Sequence, residues 1–247
     1  MNKSQSLQKN RAWRASVLTL FPEMMPGCLG FSLAGKALAD GLWNIETINL
    51  RDFADTKSQA VDDAPYGGGA GMVVRPDVVN SALNSVSHNN RPIIYLSPRG
   101  QCLNQSRVQE LVKTDGVILL CGRYEGIDNR VIDAWKMEEI SIGDFVLSGG
   151  EPAAISLIDA CVRLLPGVVG NAETTLDESF VNGLLEYSHY TRPQVWEGRP
   201  VPKVLLSGHH SEIREWRQME AETITSRRRP DLWSKYVSDV KKMHTKH

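Results

Sequence analysis

Four glycines fall within five positions of the stretch DDAPYGGGAGMVV, which runs from residue 62 to residue 74. Glycine adopts backbone angles that are closed to other residues and lets a ligand approach the chain, so this run is a candidate phosphate cradle. A phosphate loop of the GxxxxGK(S/T) type needs a lysine after its last glycine, but Met72 and Val73 follow Gly71 here. A dinucleotide fingerprint lies between a strand and a helix, whereas this run follows an aspartate-rich loop. Spacing alone therefore leaves two alternatives, a plain turn or a ligand site.

The cysteines and histidines do not have the spacing of metal ligands. His209 and His210 are adjacent, so their side chains diverge. The four cysteines are far apart and form no CxxC pair: Cys28, Cys102, Cys121 and Cys161. We interpret them as core thiols and the histidines as surface residues, which predicts neither a zinc site nor a disulfide framework and is consistent with a reducing cytoplasm.

The composition is typical of a soluble globular protein, with 41% hydrophobic and 23% charged residues. No apolar run approaches the roughly 18 residues that a membrane span needs. The N-terminus is polar and lacks the apolar segment of a secretory signal, so we expect residues 1–14 to be flexible. From Glu178 onward there are 12 Lys and Arg against 9 Asp and Glu. This mildly basic segment supports a nucleic-acid partner only weakly.

Apolar runs alternate with helical patterns over most of the chain. The predicted strands are 15–21, 43–50, 92–98, 116–122 and 138–143. The predicted helices extend from the first strand to about Asp40 and over 75–86, 104–114, 127–135 and 152–165, with a mostly helical segment at 211–236. This order predicts an α/β fold, a parallel sheet with helices on both faces, whose ligand sites lie beyond the carboxyl ends of the strands.

Three glycine-containing segments follow predicted strands, at 96–101, 121–128 and 141–151. A ligand held by them would contact mainly backbone N–H and C=O groups, because glycine exposes the backbone. No Lys or Arg cluster accompanies these segments to bind a triphosphate. They are typical of a site for an adenosine ligand without phosphates, and the alternative is a set of ordinary strand–helix turns.

Eight ordered blocks carry a family resemblance: DDAPYGGGAGM, LSPRG, LLCGRYEGIDNRV, SIGDFVLSGGE, RLLPGVVG, ESFVNGLLE, HYTRP and LLSGHHSEIREWR. From about Ala15 to Leu232 the chain resembles the bacterial tRNA (guanine-N1)-methyltransferases, enzymes of the SPOUT class with a trefoil-knotted backbone. The resemblance implies a deep C-terminal trefoil knot in a domain at 15–169 that binds S-adenosylmethionine. It also implies a linker at 170–177 and a small helical domain at 178–247 that binds tRNA.

The resemblance further implies a methyl-donor site, at which S-adenosylmethionine contacts the knot loops mostly through backbone. The implied contacts are Tyr95, Leu96, Ser97, Pro98, Gly100, Gly122, Tyr124, Glu125, Gly126, Ile142, Gly143, Asp144, Phe145, Val146, Leu147, Gly149 and Gly150. The implied substrate is the guanosine at tRNA position 37, next to the anticodon. In this family the PYGGGAGM loop packs beside the knot, near the substrate base.

Two catalytic residues are carried over by motif. The family's arginine corresponds to Arg163 in VRLLPG, for which a helix C-terminal cap is the alternative role. The family's general base is an Asp directly before Ser-Phe, a position held here by Glu178 with Asp177 before it. This departure leaves the base open between the two carboxylates. Secondary candidates for RNA or base contacts are Arg123, Asp128, Tyr190 and Arg192, whereas Trp216 and Trp233 are expected to pack the helical domain.

The resemblance implies an antiparallel homodimer in which one subunit's C-terminal domain completes its partner's site, and it suggests a requirement for Mg²⁺. It also implies a cytoplasmic enzyme. Two alternatives remain open from the residues. One is another knotted RNA methyltransferase of different base specificity, which would lack ESFVNGLLE and HYTRP. The other is a non-catalytic RNA-binding module, which would need no cofactor.

Overall fold

A computed structural model of the chain describes residues 12–55, 59–170 and 178–244. The chain divides into two compact units, one up to Gly170 and one from Asn171 onward. Most of the segment predicted to be a flexible N-terminus, the linker beyond Gly170 and the candidate base Asp177 lie outside the described residues.

The first unit is built on a parallel sheet. Its strands are β1 (Trp13–Thr19), β2 (Trp43–Asn49), β3 (Asp62–Asp63), β4 (Val73–Val74), β5 (Ile93–Cys102), β6 (Gly116–Cys121) and β7 (Glu138–Ser141). Five of them form one sheet in the order β2-β1-β6-β5-β7, and every neighbouring pair in it is parallel. β3 and β4 form a separate two-stranded antiparallel ribbon.

Helices cover both faces of this sheet. They are α1 (Ser32–Ala39), α2 (Pro76–Asn84), α3 (Gln105–Val112), α4 (Asn129–Ala134) and α5 (Glu151–Val162). Helices α1, α3 and α5 share one buried cluster with the sheet, and α2 and α4 share the other. The predicted α/β class is therefore confirmed, while the trefoil knot stays a prediction.

Strand β6 shows why the apolar runs form the centre of the sheet. All six of its residues are buried. Val117 and Leu119 face the α1–α3–α5 cluster, and Ile118 and Leu120 face the α2–α4 cluster. Side chains alternate between the faces of a strand, so a strand covered by helices on both sides must be apolar throughout.

The helix predicted between the first strand and about Asp40 forms only in the second half of that segment. Residues Pro22–Met24 and Gly27–Gly30 form two short 3-10 turns before α1 begins at Ser32. Pro26 lacks a backbone donor, and Gly27 has a φ of +56°, so a continuous α-helix cannot form there. Strand β5 is longer than predicted, because its pairing with β7 shifts register between Leu96 and Gln101.

The second unit contains a short hairpin and two helices. The hairpin pairs β8 (Val195–Trp196) with β9 (Arg199–Pro200), and the helices are α6 (His210–Arg228) and α7 (Pro230–His244). Trp216 lies edge-on to Tyr190 and Trp233 stacks on Tyr236. Both tryptophans therefore pack against aromatic rings of their own unit. In the described parts of the chain, every helix is too short or too polar to span a lipid bilayer.

The prediction of core thiols is confirmed for two of the four cysteines. Cys121 and Cys161 are buried, and burial raises the pKa of the Cys161 thiol to about 12. Cys28 and Cys102 are exposed, so the prediction was wrong for them. Cys28 lies in a 3-10 turn and Cys102 is the last residue of β5, positions where an apolar sequence context does not imply a covered side chain.

Candidate active site

A cavity of about 320 Å³ opens at the carboxyl ends of the adjacent strands β6, β5 and β7. Its walls are the segments that follow these strands, as expected for a ligand site in a parallel sheet. The structure gathers at this cavity all of the predicted cofactor residues except Gly100 and Asp144. Gly100 lies farther along β5 and packs against the neighbouring strand, because a Cβ there would come within 2.4 Å of the Glu139 carbonyl carbon.

Glycines bring the cavity walls close to each other. A Cβ at Gly122 or at Gly126 would each lie 2.9 Å from an atom of the Tyr95 phenol. A Cβ at Gly150 would lie 2.8 Å from Cys121 Cα, and the Gly150 N–H donates to the Gly122 carbonyl at 2.9 Å. The segments after β6 and before α5 therefore touch through backbone, and a side chain at these positions would separate them.

The Tyr95 side chain, against which Gly122 and Gly126 pack, is buried, and only 5% of the residue's surface is exposed. Burial raises the pKa of its phenol above the ordinary value. The hydroxyl therefore stays protonated at neutral pH and adds no negative charge to the cavity.

The glycine-rich run is joined to one wall of the cavity. All four of its glycines have positive φ: Gly67, Gly68, Gly69 and Gly71. The Glu125 N–H donates to the Met72 carbonyl at 3.0 Å, and the Val74 N–H donates to the Gly126 carbonyl at 2.9 Å. A Cβ at Gly71 would lie 2.3 Å from Glu125 Oε1. The run is therefore a turn that packs against the cavity segment, while its nearness to a knot and to the substrate base stays a prediction.

Two arginines line the cavity, and both are paired with carboxylates. Arg99 contacts Glu139 at 3.2 Å. Arg123 contacts Glu151 at 2.8 Å and donates to the Ser148 carbonyl at 3.2 Å. A site for a nucleotide triphosphate would direct such cations at the ligand. The phosphate-free ligand expected from the glycine pattern stays a prediction.

Arg163 and Glu178 belong to different units of the chain. Arg163 is half-buried at the C-terminal end of α5, where its N–H donates to the Asp159 carbonyl at 3.1 Å. It is thus the C-cap residue of that helix through its backbone, and its catalytic role stays a prediction. Glu178 is also half-buried and begins a turn in which its carbonyl accepts from the Val181 N–H at 3.3 Å.

The secondary candidates have varied surroundings. Asp128 caps α4 by accepting from the Arg130 N–H, and its hydrogen bond to the Arg130 side chain lowers the pKa of the carboxyl. Tyr190 is 48% exposed, and Arg192 is exposed too. Asp128 is therefore engaged in local structure, whereas Tyr190 and Arg192 present polar groups that an RNA could contact.

Sequence reasoning missed the partner of Arg123. Glu151 is fully buried and also accepts a 2.6 Å hydrogen bond from Thr19, 132 positions earlier in the chain. An acidic residue in the first turn of a helix is ordinarily explained by the helix dipole. No local sequence signal distinguishes this glutamate from one that faces solvent.

Within the ranges 12–55, 59–170 and 178–244, no three His, Cys, Asp or Glu side chains are grouped as metal ligands. The suggested requirement for Mg²⁺ stays a prediction.

Comparison with known proteins gives one consistent result. A family model described as tRNA (Guanine-1)-methyltransferase TrmD matches residues 13–235. A Rhodospirillum rubrum protein named tRNA (guanine-N(1)-)-methyltransferase is 60% identical over 225 residues, covering 91% of this chain and 94% of that protein. Proteins of the same name from Rhodopseudomonas palustris and Brucella ovis are 60% and 58% identical, covering 90% and 94% of this chain and 90% and 95% of their own.

Proposed function

The chain belongs to the tRNA (guanine-1)-methyltransferase family, and from this premise we propose that it methylates N1 of guanosine at tRNA position 37 with S-adenosylmethionine as donor. The observation that carries the proposal is identity of about 60% with proteins of that name along nine-tenths of the chain. We further propose that the enzyme works in the cytoplasm as a homodimer.

The cavity at the ends of β5, β6 and β7 fits the methyl donor. Its volume of about 320 Å³ lies at the lower end of the range for small-molecule sites. Gly122, Gly126 and Gly150 let the segments that form the cavity pack closely against each other, because a Cβ at each would lie within 3.0 Å of Tyr95 or Cys121. We therefore assign donor binding to these loops, including the predicted contacts at 95–98, 122, 124–126, 142–147, 149 and 150.

Methyl transfer to guanine N1 needs two groups from the protein. N1 carries a proton near neutral pH, so a base must remove it, and a donor must stabilise the negative charge that grows on O6. The bound donor supplies a methyl group on a sulfonium sulfur. In our proposal a Glu178 carboxylate oxygen accepts the N1 proton, and the Arg163 guanidinium donates to O6. The lone pair left on N1 forms the bond to the methyl carbon as the carbon–sulfur bond breaks.

The position of the methyl group in tRNA tests this function directly. We expect the purified protein, given S-adenosylmethionine and unmodified tRNA with guanosine at position 37, to produce 1-methylguanosine there. Nuclease digestion and mass spectrometry locate the product, with Mg²⁺ present and absent in parallel. A tRNA with adenosine at position 37 is the matched control. Methylation of another base would indicate a different specificity, and no methylation under any condition would contradict the enzyme assignment.

The proposed dimer leads to a second prediction, because Arg163 precedes the segment 166–177 along the chain and Glu178 follows it. In a twofold symmetric dimer with shared sites, each site takes residues from both subunits. Mixing inactive Arg163→Ala subunits with inactive Glu178→Gln subunits should therefore restore activity, since one of the two sites in each heterodimer is intact.

Differently tagged subunits allow the heterodimer to be isolated, and re-association of two Glu178→Gln preparations is the control. Heterodimers that are demonstrably formed yet remain inactive would place both residues of one site on a single chain.

A further inference from the structure

A buried ion pair lies directly behind the wall of the donor cavity. Glu151, the first residue of α5, is fully buried, and its carboxylate contacts the Arg123 guanidinium at 2.8 Å. The same carboxylate accepts a 2.6 Å hydrogen bond from the Thr19 hydroxyl, which in turn accepts from the Phe21 N–H at 2.9 Å. Glu151 thus connects the end of β1 to a cation in the cavity wall.

Arg123 is held in place from several directions. Its guanidinium donates to the Ser148 carbonyl at 3.2 Å and stacks over the Phe21 ring at 4.3 Å. A Cβ at Gly149 would lie 2.3 Å from Arg123 Nε, so this side chain packs directly on the loop before α5. The two cavity segments on either side of the arginine are therefore held together by its contacts.

The charge of this arginine matters for the proposed ligand. S-adenosylmethionine carries a positive sulfonium that its demethylated product, S-adenosylhomocysteine, lacks. The Arg123 side chain is only 17% exposed, so water screens it poorly, and an unneutralised guanidinium there would repel a cationic ligand. The Glu151 carboxylate removes that repulsion.

We propose that Glu151 is a positioning residue that holds Arg123 in the cavity wall and neutralises its charge, so that a cationic methyl donor can bind beside it. This inference rests on the proposed function, because it takes the donor to occupy this cavity.

The test is the affinity of the full-length protein for the two ligands, measured by calorimetry on wild type and Glu151→Gln. Glutamine keeps the shape and the acceptor for Thr19 but leaves Arg123 without its counter-charge. We expect the ratio of donor to product affinity to fall about tenfold, because the poorly screened guanidinium would repel the sulfonium of the donor but not the neutral sulfur of the product. If Glu151 had a purely structural role, its replacement would lower the affinities for both ligands equally and leave their ratio unchanged.

Glu139→Gln is the matched control, because it removes the partner of the other arginine in the cavity wall. The Arg99 side chain is 62% exposed, so water screens its charge and the ratio should stay near the wild-type value. The double variant Arg123→Met, Glu151→Gln removes both charges and should bring the ratio back towards wild type. It also avoids an unpaired buried charge if the single variant folds poorly.

The outcomes separate this inference from the proposed function. Wild-type protein that binds neither ligand would overturn the proposed function. Wild-type protein that binds both, with the same ratio in Glu151→Gln as in wild type, would overturn the role of Glu151 alone.

Discussion

Replacing Glu178 by glutamine is expected to lower the single-turnover rate of methylation by ~10²–10⁴-fold, the usual effect of removing a positioned general base. The amide cannot accept the N1 proton, so the attacking lone pair does not form. Binding of the methyl donor should be largely retained, since the proposed donor contacts all lie before residue 151. Rapid mixing of enzyme–donor complex with tRNA measures the rate, and calorimetry measures the donor affinity.

Two neighbouring variants make this test specific. Glu178→Asp keeps a carboxylate and introduces the residue of the family motif, so we expect its rate to stay within about tenfold of wild type. Asp177→Asn should also lower the rate by less than about tenfold. Successive side chains of an extended segment point to opposite sides, so both carboxylates cannot reach the same guanine. Severe loss in Asp177→Asn with mild loss in Glu178→Gln would identify Asp177 as the base.

Replacing Gly150 by valine is expected to abolish binding of S-adenosylmethionine while the far-ultraviolet circular dichroism of a folded protein remains. The new Cβ would lie 2.8 Å from Cys121 Cα and 3.0 Å from the Gly122 nitrogen. Both are backbone atoms at the end of β6, which cannot rotate away as a side chain does. The loop before α5 must therefore move, and it breaks the hydrogen bond from Gly150 N–H to the Gly122 carbonyl.

Gly170→Val is the matched control, because a Cβ there meets nothing within 4 Å in the described part of the chain and its φ lies outside the positive range. Calorimetry on both variants and wild type should use the donor, its demethylated product and ATP. Wild type should bind the first two and not ATP. Unchanged donor affinity in Gly150→Val would place the donor elsewhere, and tight ATP binding without donor binding would indicate a nucleotide site instead.

Secondary structure could be predicted where a residue's neighbours along the chain decide its environment. The apolar run that became β6 has to be buried on both faces, and its ends coincide with the glycines that flank it. The helix expected at 152–165 begins at Glu151 and ends at Val162, close to the prediction. The prediction failed at 22–31, where Pro26 and Gly27 interrupt an otherwise helical pattern of apolar residues.

The residues of the candidate site, too, could be predicted from the sequence only in part. The glycines after β6 and β7 are visible in the sequence as residues that expose backbone, and the topology of a parallel sheet places them at one edge. The role of Gly71 could not be predicted, because it depends on Glu125, a residue of a different loop. Arg123 could be recognised as a candidate, but as an RNA contact rather than as the partner of Glu151.

The sequence by itself determined the class of fold, the edge of the sheet at which the cavity opens, and the family, since periodicity and ordered motifs are properties of the chain alone. Only the tertiary structure decided which charged groups pair. Thr19 and Glu151 lie 132 positions apart, and β1 brings them within 2.6 Å by running beside β6 in the sheet. The charge that Arg123 presents to a ligand depends on that packing, because a buried carboxylate acts only on the groups the fold places against it.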